Sequence, residues 1–158
     1  KPVIAAVNGA AFGLGLDMAL SCDFIIAAEG AKMSMSFIKR GLVSDGGGMY
    51  FLPRRVGLSK AKELIFSARI VEPDEALSIG MIDRIAPADD LLAQAHAWAK
   101  ELTIGSATAV ALTKEIIDKT FERSDEEIFA MARQAQAVCY TTAEHRKSVE
   151  DFLNKVSK

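Results

Sequence analysis

Asn8-Gly-Ala-Ala-Phe-Gly-Leu-Gly-Leu-Asp17 decides how the rest of this chain is read. The apolar run Val3-Ile-Ala-Ala-Val7 leads into it, and Met18-Ala-Leu-Ser-Cys22 leads out. Gly9, Gly13 and Gly15 let the backbone turn sharply out of a strand and open a helix with amide N–H groups exposed. Such a corner is an anion site made of backbone. It serves either as a phosphate cradle or as an oxyanion hole for a charge that exists only during a reaction. The spacing disfavours the cradle. A dinucleotide fingerprint reads G-x-G-x-x-G, whereas Gly13-x-Gly15 is followed three residues later by Met18.

Outward from that corner, Val3 to Val7 is short, apolar on both faces and ended by Asn8-Gly9, the pattern of a buried strand. Leu14 to Cys22 reads as a short helix, Phe24-Ile-Ile-Ala-Ala28 as a second buried strand, and Lys32-Met-Ser-Met-Ser36 as a half-covered third. Strands followed by a helix are the local theme. A second glycine-rich turn, Gly41-Leu-Val-Ser-Asp-Gly-Gly-Gly48, leads into a helical pattern through Met49, Tyr50 and Leu52 toward Pro53-Arg-Arg55. Ser59 to Ser67 is helical, and Pro73-Asp-Glu-Ala-Leu77 starts a short helix with a proline and acids in its first turn. Met81-Ile-Asp-Arg-Ile85 reads as the last strand.

From Asp89 the apolar period becomes 3.6 and stays there, which sets a boundary between a core at 1–88 and a helical region at 89–158. Leu91, Leu92, Ala95, Trp98, Ala99 and Leu102 form one stripe, and Ala109, Leu112, Ile116 and Ile117 a second. Ser124-Asp-Glu-Glu127 is a capping box ahead of a helix with Ile128, Met131, Ala132, Ala135, Val138 and Cys139 inward. Thr141-Thr-Ala-Glu144 opens the last helix, with Val149, Phe152, Leu153 and Val156 on its apolar face. Apolar faces on such helices are also places for a second subunit.

Composition narrows the function. With 158 residues, half of them hydrophobic, the chain can bury one core plus a helical appendage. Nineteen basic and 21 acidic side chains, for a formal charge of −2, argue against nucleic acid as a partner. No apolar run approaches the roughly 20 residues that span a bilayer. Cys22 and Cys139 are far apart with no Cys or His at metal-ligand spacing, which predicts a reducing, cytoplasmic setting and no metal site. His96 and His145 sit in polar positions, and no G-x-S-x-G occurs, so a histidine-based triad is not expected. The chain begins Lys1-Pro2 with a core-like strand directly behind, which reads as a fragment.

Lys1-Pro-Val-Ile-Ala-Ala-Val-Asn-Gly9, Gly13-Leu-Gly-Leu-Asp17, Ser21-Cys-Asp23, Gly41-Leu42, Leu52-Pro-Arg-Arg-Val-Gly57 and Glu75-Ala-Leu-Ser-Ile-Gly80 together resemble the crotonase (enoyl-CoA hydratase/isomerase) superfamily, in order along nearly the whole chain. The resemblance implies an α/β fold: a partial spiral of β-β-α turns followed by an all-helical C-terminal trimerisation region. It implies acyl-CoA thioester substrates, coenzyme A as part of the substrate rather than a cofactor, and a homo-oligomer, either a trimer or a dimer of trimers. It also implies that a front portion of about 90 to 100 residues is absent, in keeping with the usual size of α/β domains. In the family that portion carries one of two oxyanion N–H groups and much of the CoA contact.

The second oxyanion donor maps to the N–H of Leu14, between Gly13 and Gly15. Removing a proton next to a thioester carbonyl makes an enolate, and aimed N–H groups stabilise it. Hydratases of the family place one Glu at the position of Asp17 and another at the position of Phe37, two carboxylates that hold and activate water. A phenyl ring transfers no proton, which argues against hydration. Asp45 instead matches the aspartate that several isomerases of the family use to shuttle a proton. Read locally, an aspartate before glycines is a helix cap. Asp17 has two readings, an acid beside the thioester or a first-turn helix acid. Phe37 is a candidate wall of the acyl pocket, with core packing as the alternative. Lys155 resembles a tail lysine that reaches CoA phosphate in a neighbouring subunit, against a plainly solvated lysine. Asp23, Arg54 and Arg55 match structural positions.

The expected activity is therefore an acyl-CoA isomerase moving a C=C bond from β,γ to α,β, or a related ring isomerisation as in phenylacetate breakdown. A hydratase, an aryl-CoA dehalogenase with an aromatic wall beside a nucleophilic aspartate, and a catalytically silent binding subunit are the alternatives. A 158-residue fragment with half an oxyanion hole is expected to be inactive by itself.

Overall fold

The apolar run at the front becomes strand β1 (Ile4–Val7) in a computed structural model, which describes residues 1–156. It is followed by β2 (Ala10–Phe12), α1 (Leu14–Leu20), β3 (Phe24–Ala28) and β4 (Lys32–Ser34). β1 and β3 pair in parallel with Ile4 opposite Phe24, and β2 and β4 pair in parallel with Ala10 opposite Lys32. One β-β-α turn of the chain thus climbs onto the next. The residues of β3 from Ile25 to Ala28 are buried throughout, as a parallel strand covered on both faces requires.

After β4 a 3-10 turn (Ser36–Arg40) and the loop to Gly47 lead into α2 (Gly48–Val56). Pro53 lies inside α2, and the helix runs past it to Val56. α3 (Leu58–Ser67) ends at Ala68, a left-handed residue whose carbonyl accepts Ser34 Oγ at 3.0 Å. α4 (Pro73–Ser78) starts at its proline as expected. Met81 and Ile82, read from sequence as the start of a strand, are instead a buried turn, and β5 (Arg84–Ala86) begins later. Asp83 explains the shift: its N–H donates to the Ile25 carbonyl and its carboxylate accepts the Ile25 N–H at 2.7 Å, so pairing with β3 starts there. Leu16, Leu20, Met33, Leu52, Leu64, Val71, Met81 and Ile82 form the core.

Two compact units divide the chain, Val3–Ala99 and a helical unit that runs on from Lys100 and also takes in Lys1–Pro2. The period changes at residue 89, yet α5 (Leu91–Glu101) contributes Leu91, Ala95 and Trp98 as buried residues of the first unit. The Trp98 ring lies 5.0 Å from that of Phe24, and the Arg84 guanidinium sits 4.0 Å over it.

In the helical unit, α6 (Ala107–Ile117) is capped by Ser106, whose Oγ accepts the Ala109 N–H. α7 (Asp125–Thr141) opens on the capping box read from the sequence, with Ser124 and Glu127 bonded reciprocally, and α8 (Ala143–Val156) follows. The inward stripes hold in part on α6 and α7 and not on α8. Ile128, Met131, Ala135 and Cys139 are half-buried, whereas Ala132 and Val138, and Val149, Phe152, Leu153 and Val156 on α8, are exposed. None of the described residues of α6, α7 or α8 is fully buried, since so few helices offer too little surface to cover every apolar face. No helix among the described residues is long and apolar enough to cross a membrane.

Candidate active site

Gly13 sits between β2 and α1 with φ 53° and ψ −120°, a conformation open to glycine and strained for other residues. Its N–H donates to the Ser34 carbonyl at 2.9 Å, and its own carbonyl accepts the N–H groups of Leu16 and Asp17. The Leu14 and Gly15 amides precede those first intrahelical bonds, and no side chain caps the helix. Open backbone N–H groups therefore stand at the corner picked out from the sequence. The Leu14 side chain is half exposed and leans on Gly46, where an added Cβ would come within 2.5 Å of Leu14 Cδ1. The Phe37 ring, half-buried in the 3-10 turn, lies beside Gly13: a Cβ there would be 3.6 Å from the ring edge.

The two aspartates differ sharply. Asp17, on α1, is wholly buried, and its Oδ2 accepts Ser44 Oγ at 2.6 Å and the Gly46 N–H at 3.1 Å. Its Oδ1 has no hydrogen-bond partner among the described residues and presses against Gly48, where a Cβ would overlap it. Asp45 lies between the two residues that Asp17 holds. It is exposed, and it does not cap α2, whose N-cap is Gly47 with no side-chain hydrogen bond. Leu14, Asp17, Phe37 and the loop carrying Asp45 thus meet within one unit, brought from successive turns of the spiral. Ser44 is the site residue that sequence reading missed, because a serine beside an aspartate carries no signal without its distant partner.

Lys155 belongs to the helical unit, where it lines a cavity of about 910 Å³ with Ser106, Cys139, Glu144, His145 and Lys147. Ser106 Oγ also donates to Glu144 in this wall. Asp23, Arg54 and Arg55 have structural contacts. The Asp23 carboxylate accepts the Val3 N–H at 2.7 Å, and Arg54 stacks 3.5 Å over Tyr50. Arg55 donates to the carbonyls of Cys22, Asp23 and Met81 and pairs with Asp83 at 3.2 Å. A strong electrostatic shift lies in another cluster. Hydrogen bonds from Arg69, then Lys60, pull the Glu63 carboxyl from 4.5 down to about 2, and Arg69 is raised by bonds to Glu75 and Glu63. No group of three or more His, Cys, Asp or Glu side chains that could hold a metal occurs among the described residues.

The model of the enoyl-CoA hydratase/isomerase family matches residues 1–158. The chain belongs to that family. It is 36% identical over 154 residues to a probable enoyl-CoA hydratase, echA8, of Mycobacterium bovis, covering 98% of this chain and 60% of that protein. It is 34% identical over 155 residues to the short-chain-enoyl-CoA hydratase of Clostridium acetobutylicum, covering 98% and 59%. Among solved structures, the enoyl-CoA hydratase/isomerase from Cupriavidus metallidurans CH34 superimposes with a TM-score of 0.92 at 37% identity, covering 98% of this chain and 58% of that one. The enoyl-CoA hydratase from Bacillus anthracis gives 0.93 at 32% identity, covering 98% and 60%. The fold is that of the crotonases, and the chain spans about 60% of the length of the relatives it matches.

Proposed function

We propose that this chain forms the larger part of an acyl-CoA isomerase, which moves a C=C bond of an enoyl-CoA from the β,γ to the α,β position. The observation that carries the reading is the contrast between the aspartates: Asp45 is exposed, whereas Asp17 is buried and engaged by Ser44 and Gly46. Asp45 takes a proton from the carbon next to the thioester carbonyl. The electron pair moves onto the thioester oxygen, giving a dienolate held in part by the Leu14 N–H, and loss of one such donor typically costs about 100- to 1000-fold in rate. The protonated Asp45 then returns its proton to the γ carbon, so a single base completes the shift. Phe37 forms an apolar wall, and the chemistry draws on no cofactor beyond the coenzyme A of the substrate. Lys155 binds CoA phosphate. Further copies of the chain, as a trimer or dimer of trimers, cover exposed side chains such as Phe129, Phe152 and Leu153.

Hydration is the second reading, favoured by the relatives, several of which are named as enoyl-CoA hydratases. The test is direct. The full-length parent protein is given a β,γ-enoyl-CoA and the conjugated thioester is followed by absorbance, with Asp45→Asn alongside. Conjugation that falls by three orders of magnitude or more in the variant supports the isomerase. Water addition to an α,β-enoyl-CoA without conjugation of the β,γ isomer refutes it and establishes the hydratase.

A further inference from the structure

We propose that Asp17 is a positioning residue: its buried carboxylate clamps the two neighbours of Asp45 and so fixes where the proton-transferring carboxylate stands. The inference rests on the isomerase reading and names the device that aims its base. Ser44 Oγ and the Gly46 N–H both donate to a single oxygen, Asp17 Oδ2, from either side of Asp45. Ser44 is buried with Asp17, so the clamp is shielded from competing water. Beyond the clamp, the loop is moulded around Asp17. Gly48 leaves no room for a Cβ beside Oδ1, and a Cβ on Gly46 would lie 2.9 Å from Oδ2.

The same geometry removes Asp17 from the chemistry. A group that exchanges protons with a bound substrate needs a face toward it, and Asp17 has no exposed surface. Asp45, by contrast, has no side-chain bond to α2 that would aim it, so its direction comes from the backbone on either side. A misplacement of about 1 Å at a reacting group costs on the order of 100-fold in rate. That is the scale expected when the clamp is opened.

Asparagine at position 17 separates clamp from acid. Its carbonyl oxygen accepts the same two donors, while its amide nitrogen fills the partnerless Oδ1 position. In the full-length parent protein with a β,γ-enoyl-CoA, Asp17→Asn is expected to keep kcat within about 10-fold, Ser44→Ala to lower kcat about 10-fold at unchanged KM, and Asp17→Ala to lower it about 100-fold. If Asp17→Ala does not fold, Ser44→Ala decides between clamp and no clamp. A folded Asp17→Asn as inactive as Asp45→Asn overturns the inference and leaves the isomerase reading standing. Full activity in Ser44→Ala overturns it likewise. Activity in Asp45→Asn removes the isomerase reading itself, and the clamp with it.

Discussion

Two glycines of the same corner are expected to respond with opposite sign. Gly13 holds φ 53° and ψ −120°, and an alanine there carries backbone strain of about 1–3 kcal/mol. The added methyl would meet Ser36 Oγ at 3.5 Å and the Phe37 ring at 3.6 Å, ordinary contacts that add little. The stiffer unfolded chain returns about 0.4–1 kcal/mol, so Gly13→Ala should destabilise the protein by about 1–2 kcal/mol. Gly15 is helical, has no positive φ and has open space where its Cβ would be. Gly15→Ala should therefore stabilise by roughly 0.5–1 kcal/mol. Urea unfolding followed by circular dichroism measures both. Activity adds a second readout, because relief of the strain at residue 13 would turn the Leu14 N–H away. Equal shifts of the same sign, or a Gly13→Ala midpoint indistinguishable from the parent, would refute the argument that backbone conformation fixes this corner.

Arg55→Ala should lower stability by about 2–3 kcal/mol in the same assay, since the Asp23 carbonyl at 2.9 Å and Asp83 at 3.2 Å lose a charged donor, with the half-shielded Asp83 pair discounted for solvent. Arg55→Lys should recover less than half, because one ammonium cannot replace the fork; full recovery would contradict this. Glu63 titrates near 2 when folded against 4.5 as its ordinary value, so its stabilisation is present above about pH 4.5 and is lost as pH falls toward 2. The stability gap between the parent and Glu63→Gln should thus shrink over that window. A gap that widens on acidification would reverse the sign and reject the ion-pair assignment.

Sequence conveyed the local geometry well and the long-range geometry poorly. The capping box at Ser124, the proline start of α4 and the buried β3 are each set by residues within a few positions, and each was readable. β2 was not. Ala10–Phe12 is three residues long and becomes a strand only because Lys32–Ser34 pairs with it. The local pattern sets the start of β5 too early, because Met81 and Ile82 are apolar for burial in a turn, which pattern alone cannot tell from a strand. The α8 stripe has helical period, but period alone does not say that another surface is present to cover it. Within the site, the glycine corner and both aspartates were legible as residue types. Their division of labour was not, since nothing near position 17 reveals that Ser44 and Gly46 close over it.

That closure links the two parts of the proposed chemistry through one short rigid piece. Leu14 supplies the amide at the start of α1, and Asp17 stands three residues further along the same helix, where both its backbone N–H and that of Leu16 are tied to Gly13. Asp17 in turn holds Ser44 and Gly46, so the position of Asp45 is referred to the same helical turn as the Leu14 amide. A loop aspartate anchored only by its own backbone would lose conformational entropy on every turnover, at about 1–2 kcal/mol per residue newly ordered. With the clamp closed, that ordering is complete before substrate arrives. In the proposed chemistry the strained glycine and the buried carboxylate serve one end, a fixed separation between the Leu14 amide and Asp45.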